Sequence, residues 1–244
     1  MIYDGVRLEL AHPVHFDLDR EIEPPKRQIE FTSVAGRSGD LVLDGERYTD
    51  AILHYIAYLD IDEEKNRTWR ISQFYNDIVK GKKCKLIDGL RDHNYEMNAI
   101  CTEFTPKRLG IKPTLRAEIE VTFQADPFMT KDVNYLYPIG STVHNLGHAP
   151  VPFKAELTVT RSTDRITLTC EKTGERLDLV GSFNTGDKIT VDMAKQYVTH
   201  NSENAMKLVS AYTDFFKYPV GEGKISVSDC SGTISLKEVY LIGG

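Results

Sequence analysis

The chain has 244 residues, of which 41% are hydrophobic, and its formal net charge is −6. This composition excludes a disordered chain, and no apolar run approaches the roughly 20 residues that a membrane helix needs. Acidic residues outnumber basic ones by 23 to 18 in residues 1–130 and by 13 to 12 in residues 131–244, so nucleic acid is a poor partner prediction.

The N-terminal residues and the cysteines indicate the cellular compartment in which the chain is made. No basic patch followed by an apolar stretch opens the chain, so we expect no secretory signal and synthesis in the cytoplasm. None of the four cysteines forms a Cys-x-x-Cys pair, and Cys101 and Cys170 occupy apolar positions of strand-like patterns. Buried, reduced thiols are therefore expected rather than a disulfide framework.

The first half predicts strands and one helix, in chain order. Residues 28–34 read as a short strand. Residues 48–59 fit a helix or a strand, and their β-branched and aromatic content favours a strand that is apolar on both faces. A helix is predicted at about 66–80, because Ile71, Phe74, Tyr75 and Ile78 recur at spacings of three and four and would share a buried face.

Two further patterns complete this half. Residues 84–87 precede an Asp-Gly turn signal, and a hairpin with an alternating strand at 95–102 is plausible. Residues 115–124 alternate apolar and polar side chains throughout, which predicts a strand with one buried and one solvated face.

The second half predicts a β-sandwich after a boundary near 127–150. Asp126-Pro127 ends the preceding strand, and prolines and glycines crowd the following stretch as they would in a linker. Short alternating segments then recur with Gly or Asp turns between them, which is typical of a sandwich. We therefore expect a mainly β chain, with an α+β domain of strands and one helix at 1–130 and a β-sandwich at 131–244.

Two glycine-rich stretches are candidate phosphate-binding sites. Gly36-Arg37-Ser38-Gly39-Asp40 could form an anion-binding nest, but it lacks the lysine and spacing of a P-loop, so a tight turn is the better interpretation. Gly221-Glu222-Gly223-Lys224 is likewise interpreted as a turn before a strand at Ile225.

No motif predicts an enzyme, a cofactor or a metal. The acidic run at 60–64 lacks the central glycine of a calcium loop and is interpreted as a solvated segment leading into the helix. His12, His15 and His93 are scattered single candidates, whereas a zinc site needs four convergent ligands. No Gly-x-Ser-x-Gly elbow is present, and nothing places a serine or cysteine beside a base. We therefore expect no catalytic, cofactor-binding or metal residues.

The aromatic residues of the second half leave one alternative open. Sugar-binding sandwiches stack such rings on pyranose faces, although core packing is the simpler explanation. The aromatics in question are Tyr135, Tyr137, Tyr197, Tyr212, Phe215, Phe216 and Tyr218. A carbohydrate-binding module that engages host cell-surface polysaccharide is therefore the alternative function.

Taken in order, four stretches resemble the distal tail proteins of siphophages, which have long non-contractile tails, and of prophages. They are Gly36-Arg37-Ser38-Gly39-Asp40-Leu41 with the following strand at 52–59, Phe123-Gln124-Ala125-Asp126-Pro127-Phe128, Asn145-Leu146-Gly147 with Pro150 and Pro152, and Gly186-Asp187-Lys188-Ile189-Thr190-Val191-Asp192 followed by residues 215–225. Together they extend over nearly the whole chain.

The resemblance implies a structural role in the virion, at the tail tip or baseplate. Six copies would form a ring hub through the N-terminal domain, and a galectin-like C-terminal sandwich would project outward. The implied partners are the tail-tube protein, a tail-associated baseplate protein, receptor-binding proteins and the tape-measure protein, with DNA only as transiting cargo. An acidic surface would suit such a conduit, because it repels phosphate. Gly36, Arg37, Ser38, Gly39 and Asp40 are the expected ring-interface and turn residues.

Overall fold

The computed structural model describes residues 1–17, 21–33, 41–88, 95–107, 116–131 and 133–243. The chain divides into two compact units, one of Met1–Thr130 with Leu241–Gly244 and one of Lys131–Tyr240. The prediction of a mainly β fold is confirmed. No helix in the described part of the chain is long and apolar enough to cross a membrane.

The first unit is built on an antiparallel sheet with strand order β2-β1-β8-β9-β10-β7-β3, in which β4 also pairs with β7. A separate two-stranded sheet pairs β5 with β6. The strands from the N-terminus to the boundary are β1 (Ile2–Tyr3), β2 (Val6–Arg7), β3 (Val14–Phe16), β4 (Glu21–Glu23), β5 (Arg27–Thr32), β6 (Leu41–Tyr48), β7 (Ala51–Asp60), β8 (Cys84–Asp88), β9 (Tyr95–Lys107), β10 (Arg116–Ala125) and β11 (Phe128–Lys131).

Alternation along β7 and β10 creates the core of this unit. Every second residue of β7 from Ala51 and of β10 from Ala117 is buried, and the residues between them are partly exposed. Because side chains of a strand point to opposite faces in turn, both strands have one buried apolar face. The other face is polar in β10, whereas in β7 it carries Ile52, Ile56 and Tyr58. The segment at 48–59 is therefore a strand, as its composition favours, and the predicted hairpin of β8 with β9 is present.

Two helices pack on the first unit. Helix α2 (Arg67–Ile78) follows a 3-10 turn at Glu64–Asn66 and matches the predicted helix, whereas the four-residue α1 (Leu8–Ala11) was not predicted. Phe74 and Ile78 are buried, but Tyr75 is 44% exposed, so its assignment to the buried face was wrong. Tyr75 lies one position beyond Phe74 around the helix, and its ring packs edgewise on Phe104 with centroids 5.2 Å apart.

The second unit is a sandwich of two antiparallel sheets, ordered β12-β21-β14-β17-β18-β19 and β13-β20-β15-β16, around one apolar cluster. Its strands are β12 (Tyr135–Pro138), β13 (Thr142–Asn145), β14 (Phe153–Val159), β15 (Thr163–Cys170), β16 (Arg176–Phe183), β17 (Lys188–Asp192), β18 (Tyr197–His200), β19 (Glu203–Asn204), β20 (Gly221–Val227) and β21 (Cys230–Leu236). Strand β22 (Val239–Leu241) follows in the chain and belongs to neither of these two sheets. A 3-10 turn lies at Met206–Leu208.

The segment after β19 closes the free edge of β16. Val209 forms a β-bridge with Leu179, and the Ser210 N–H donates to the Asp178 carbonyl at 2.9 Å. The Asp178 N–H in turn donates to the Thr213 hydroxyl at 3.1 Å. Unpaired strand edges are templates for aggregation, and here the backbone N–H and carbonyl of Asp178 are satisfied within the unit.

The predicted turn at residues 221–224 was wrong in its position. The structure places Gly221 at the first residue of β20, and Gly221 alone of these residues has a positive φ, of +94°. Gly223 lies within the strand, and a Cβ atom at this position would be only 2.9 Å from the Tyr218 hydroxyl. The glycine therefore marks a close approach of an aromatic side chain rather than a turn.

Candidate functional site

The residues predicted for the ring interface, Gly36, Arg37, Ser38, Gly39 and Asp40, lie outside the described residues. They belong to the connection between β5 and β6, whose structure is described on both sides. The two strands of the hairpin that carries this connection are described.

The β5–β6 hairpin is exposed along β5. All six residues of β5 are exposed, including Ile29 at 43% and Phe31 at 67%. Successive side chains of a strand alternate, so Ile29 and Phe31 share one face. Water is an unfavourable environment for these two side chains, and an isolated two-stranded hairpin is marginal in stability. The hairpin thus has the properties of a segment that another surface covers.

The base of the hairpin is anchored in the first unit. The Lys26 N–H donates to the Thr49 hydroxyl at 2.9 Å, and the Thr49 N–H donates to the Lys26 carbonyl at 2.9 Å. Beside them the Tyr48 ring contacts Phe128 edgewise, with centroids 5.5 Å apart. These contacts hold the start of the hairpin in place while β5 itself stays in solvent.

A polar cleft of about 340 Å³ lies on the solvated face of β7 and β10. His54 lies within it, with Nδ1 3.2 Å from the Thr122 hydroxyl. Glu21, Glu103 and Glu120 also line it, and the Glu120 carboxylate pairs with Lys107 at 2.8 Å. The described lining contains no serine or cysteine that could act as a nucleophile.

The candidate metal ligands make separate pairwise contacts with other side chains. His12 Nε2 lies 2.8 Å from Asp77 Oδ2 on α2, and His15 Nε2 lies 3.4 Å from Asp60 Oδ2. Asp62 pairs with Arg70 at 2.5 Å. His93 lies outside the described residues. Among the described residues, no group of three or more His, Cys, Asp or Glu side chains is placed to hold a metal ion.

The four cysteines are free, and Cys84, Cys101 and Cys170 are buried as thiols. Burial raises the pKa of Cys101 to about 11, and burial with the nearby Asp229 charge raises that of Cys230 to about 11. Because the thiolate is the reactive form, these two side chains are poor nucleophiles at neutral pH.

The sandwich presents one aromatic ring almost completely to solvent. Tyr212 is 95% exposed, in the segment that closes the edge of β16. The neighbouring Ser210 and Thr213 hold the segment by their hydrogen bonds to the backbone of Asp178. The Asp178 carboxylate is buried and accepts a hydrogen bond from the Thr167 hydroxyl at 2.8 Å. Tyr212 is thus displayed on an anchored segment.

The Asn145-Leu146-Gly147 stretch is fixed by buried polar groups. The Asn145 side chain is fully buried, donates to the Ala149 and Pro219 carbonyls and accepts from the Gly147 N–H. The Leu146 N–H donates to the buried Glu238 carboxylate at 3.0 Å. Buried polar groups are costly unless they are paired, and here each makes hydrogen bonds that define the path of the chain.

This part of the chain is similar to a known protein family. Residues 146–240 match the family described as the siphovirus-type tail component, C-terminal domain. This match lies within the second unit, and the resemblance to siphophage distal tail proteins is confirmed. No curated protein sequence matches the chain significantly.

Among solved structures, the whole chain has the fold of SPP1 Dit (gp 19.1), described as a paradigm of hub adsorption apparatus in Gram-positive infecting phages. The two are 15% identical, the alignment covers 98% of each chain, and the TM-score is 0.79. Structures of the phage P2 baseplate in its activated conformation, with Ca and with Sr, align over 92% of this chain and 90% of theirs. They are 8% and 10% identical to it, with TM-scores of 0.43 and 0.46.

Proposed function

We propose that this chain is a non-enzymatic structural component of a siphophage tail tip, in which six copies close into a ring hub. The observation that carries the proposal is the exposed β5–β6 hairpin of a chain whose second unit matches a siphovirus tail family. The likeness of the whole fold to SPP1 Dit supports the same role.

In a ring built from head-to-tail contacts, one patch of each copy binds a different patch of the next copy. Each copy therefore needs two different surfaces. The hairpin supplies one such surface, since Ile29 and Phe31 are apolar and exposed. We assign the ring contact to this hairpin, including the connection that carries Gly36 to Asp40. Burial of the two side chains would contribute the favourable free energy of association.

In the virion this ring would join the tail tube to the tail tip. Its partners would be the tail-tube protein on one side and a tail-associated baseplate protein on the other, with receptor-binding proteins at its periphery. The tape-measure protein and the transiting DNA would pass through the ring. The chain would be synthesised in the host cytoplasm and incorporated into the tail tip.

The first test is the mass of the purified chain in solution, by light scattering after size exclusion. The proposal expects a species near six times 27.6 kDa, with a central hole in electron micrographs. Phe31→Ala should lower the proportion of this species, whereas Leu136→Ala, which removes a 69% exposed side chain from the sandwich, should not. A strictly monomeric wild type at every concentration would count against the ring.

Binding of host cell-surface polysaccharide is the second candidate function, and the exposure of Tyr212 favours it. An aromatic ring held on an anchored segment can stack on the apolar face of a sugar with little loss of conformational freedom. On a glycan array the full chain should bind, and Tyr212→Ala should weaken the binding. Tyr197→Ala, at a 38% exposed position of the same sandwich, is the matched control.

A further inference from the structure

We draw no further inference here: the strongest candidate, the polar cleft on the solvated face of β7 and β10, is a cluster of glutamates around His54, and nothing in the described part of the chain shows which ligand it would hold.

Discussion

Gly147 and Val239 approach each other so closely that a Cβ atom at position 147 would lie 2.4 Å from the Val239 carbonyl oxygen and 2.9 Å from its nitrogen. The contact is with backbone, which cannot move aside as a side-chain end can. The His148 N–H donates to the same carbonyl at 2.7 Å, so the two segments are held together at this point.

Gly147→Ala should therefore destabilise the sandwich, by about 1–3 kcal/mol, the usual cost of inserting a methyl group where there is no space. The measurement is the midpoint of urea unfolding followed by circular dichroism. Gly181→Ala is the matched control, because its Cβ would meet the end of the flexible Leu208 side chain at 2.8 Å. Since that side chain can move aside, Gly181→Ala should lower the stability less than Gly147→Ala. Equal losses would refute the argument from backbone contact.

Phe74 and Trp69 lie on the same helix, but their substitution by alanine should change the free energy of unfolding by very different amounts. Phe74 is fully buried against His12, Phe16 and Phe104, so Phe74→Ala should lower the free energy of unfolding by about 3–5 kcal/mol. Trp69→Ala removes a half-exposed ring and should change the monomer by no more than about 0.5 kcal/mol. Urea unfolding below the assembly concentration measures both, and a large loss for Trp69→Ala would show that its role is in the fold.

Lys83 connects the ends of strands in the first unit. Its ammonium lies 2.5 Å from Asp126 and 3.0 Å from Asp50, and Asn98 also donates to Asp126. The hydrogen bond to Asp126 raises the pKa of Lys83. Burial alone would raise the pKa of Asp126, but the bonds from Lys83 and Asn98 outweigh it and lower that pKa.

The ionised Asp126 carboxylate therefore stabilises the fold fully at pH values above the ordinary aspartate pKa. This stabilisation is lost as the pH falls through the lowered pKa that Asp126 has in the folded chain. The charged Lys83 stabilises the fold at neutral pH, and this stabilisation is lost only as the pH rises through the raised pKa of Lys83. Lys83→Met should cost up to about 1 kcal/mol at pH 7, since both partners are partly exposed. Lys82→Met, at the neighbouring exposed position, should cost less, and an equal cost would argue against the network.

The hydrogen bonds of Asp187 predict that the stability of the fold depends on pH in the acidic range. Hydrogen bonds from the Asn201 side chain and the Asn184 N–H, with His200 nearby, lower the pKa of Asp187 to about 2. Its contribution to stability is therefore complete above the ordinary aspartate pKa of about 3.9 and is lost between there and about pH 2. Asp187→Ala should flatten the fall of the thermal unfolding midpoint in this range, and an unchanged slope would contradict the assignment.

Regular patterns in the sequence predicted most of the fold. The alternation at 115–124 corresponds to β10, and the helical spacing at 66–80 corresponds to α2. The four-residue α1 was missed because it is too short to show a period. Tyr75 was misplaced because spacing identifies the side of a helix that faces the core but does not give the width of the apolar contact.

The candidate site was less predictable, because it depends on exposure. A strand at 28–34 was predicted, yet nothing local distinguishes apolar residues that enter a core from Ile29 and Phe31, which do not. Gly223 shows a second limit of prediction from the sequence. A glycine that makes room for a neighbouring aromatic ring cannot be distinguished, in the sequence, from a glycine in a turn.

The closed edge of β16 limits how copies of this chain can grow into larger structures. Ser210 and Thr213 already bond the backbone carbonyl and N–H of Asp178, and Val209 bridges Leu179. A strand of another molecule therefore cannot pair with β16 at these two residues. A variant that loses these contacts, for instance Thr213→Ala combined with Ser210→Pro, would expose a template for polymerisation. At high protein concentration, this segment would keep copies of the chain from joining through this edge into fibres.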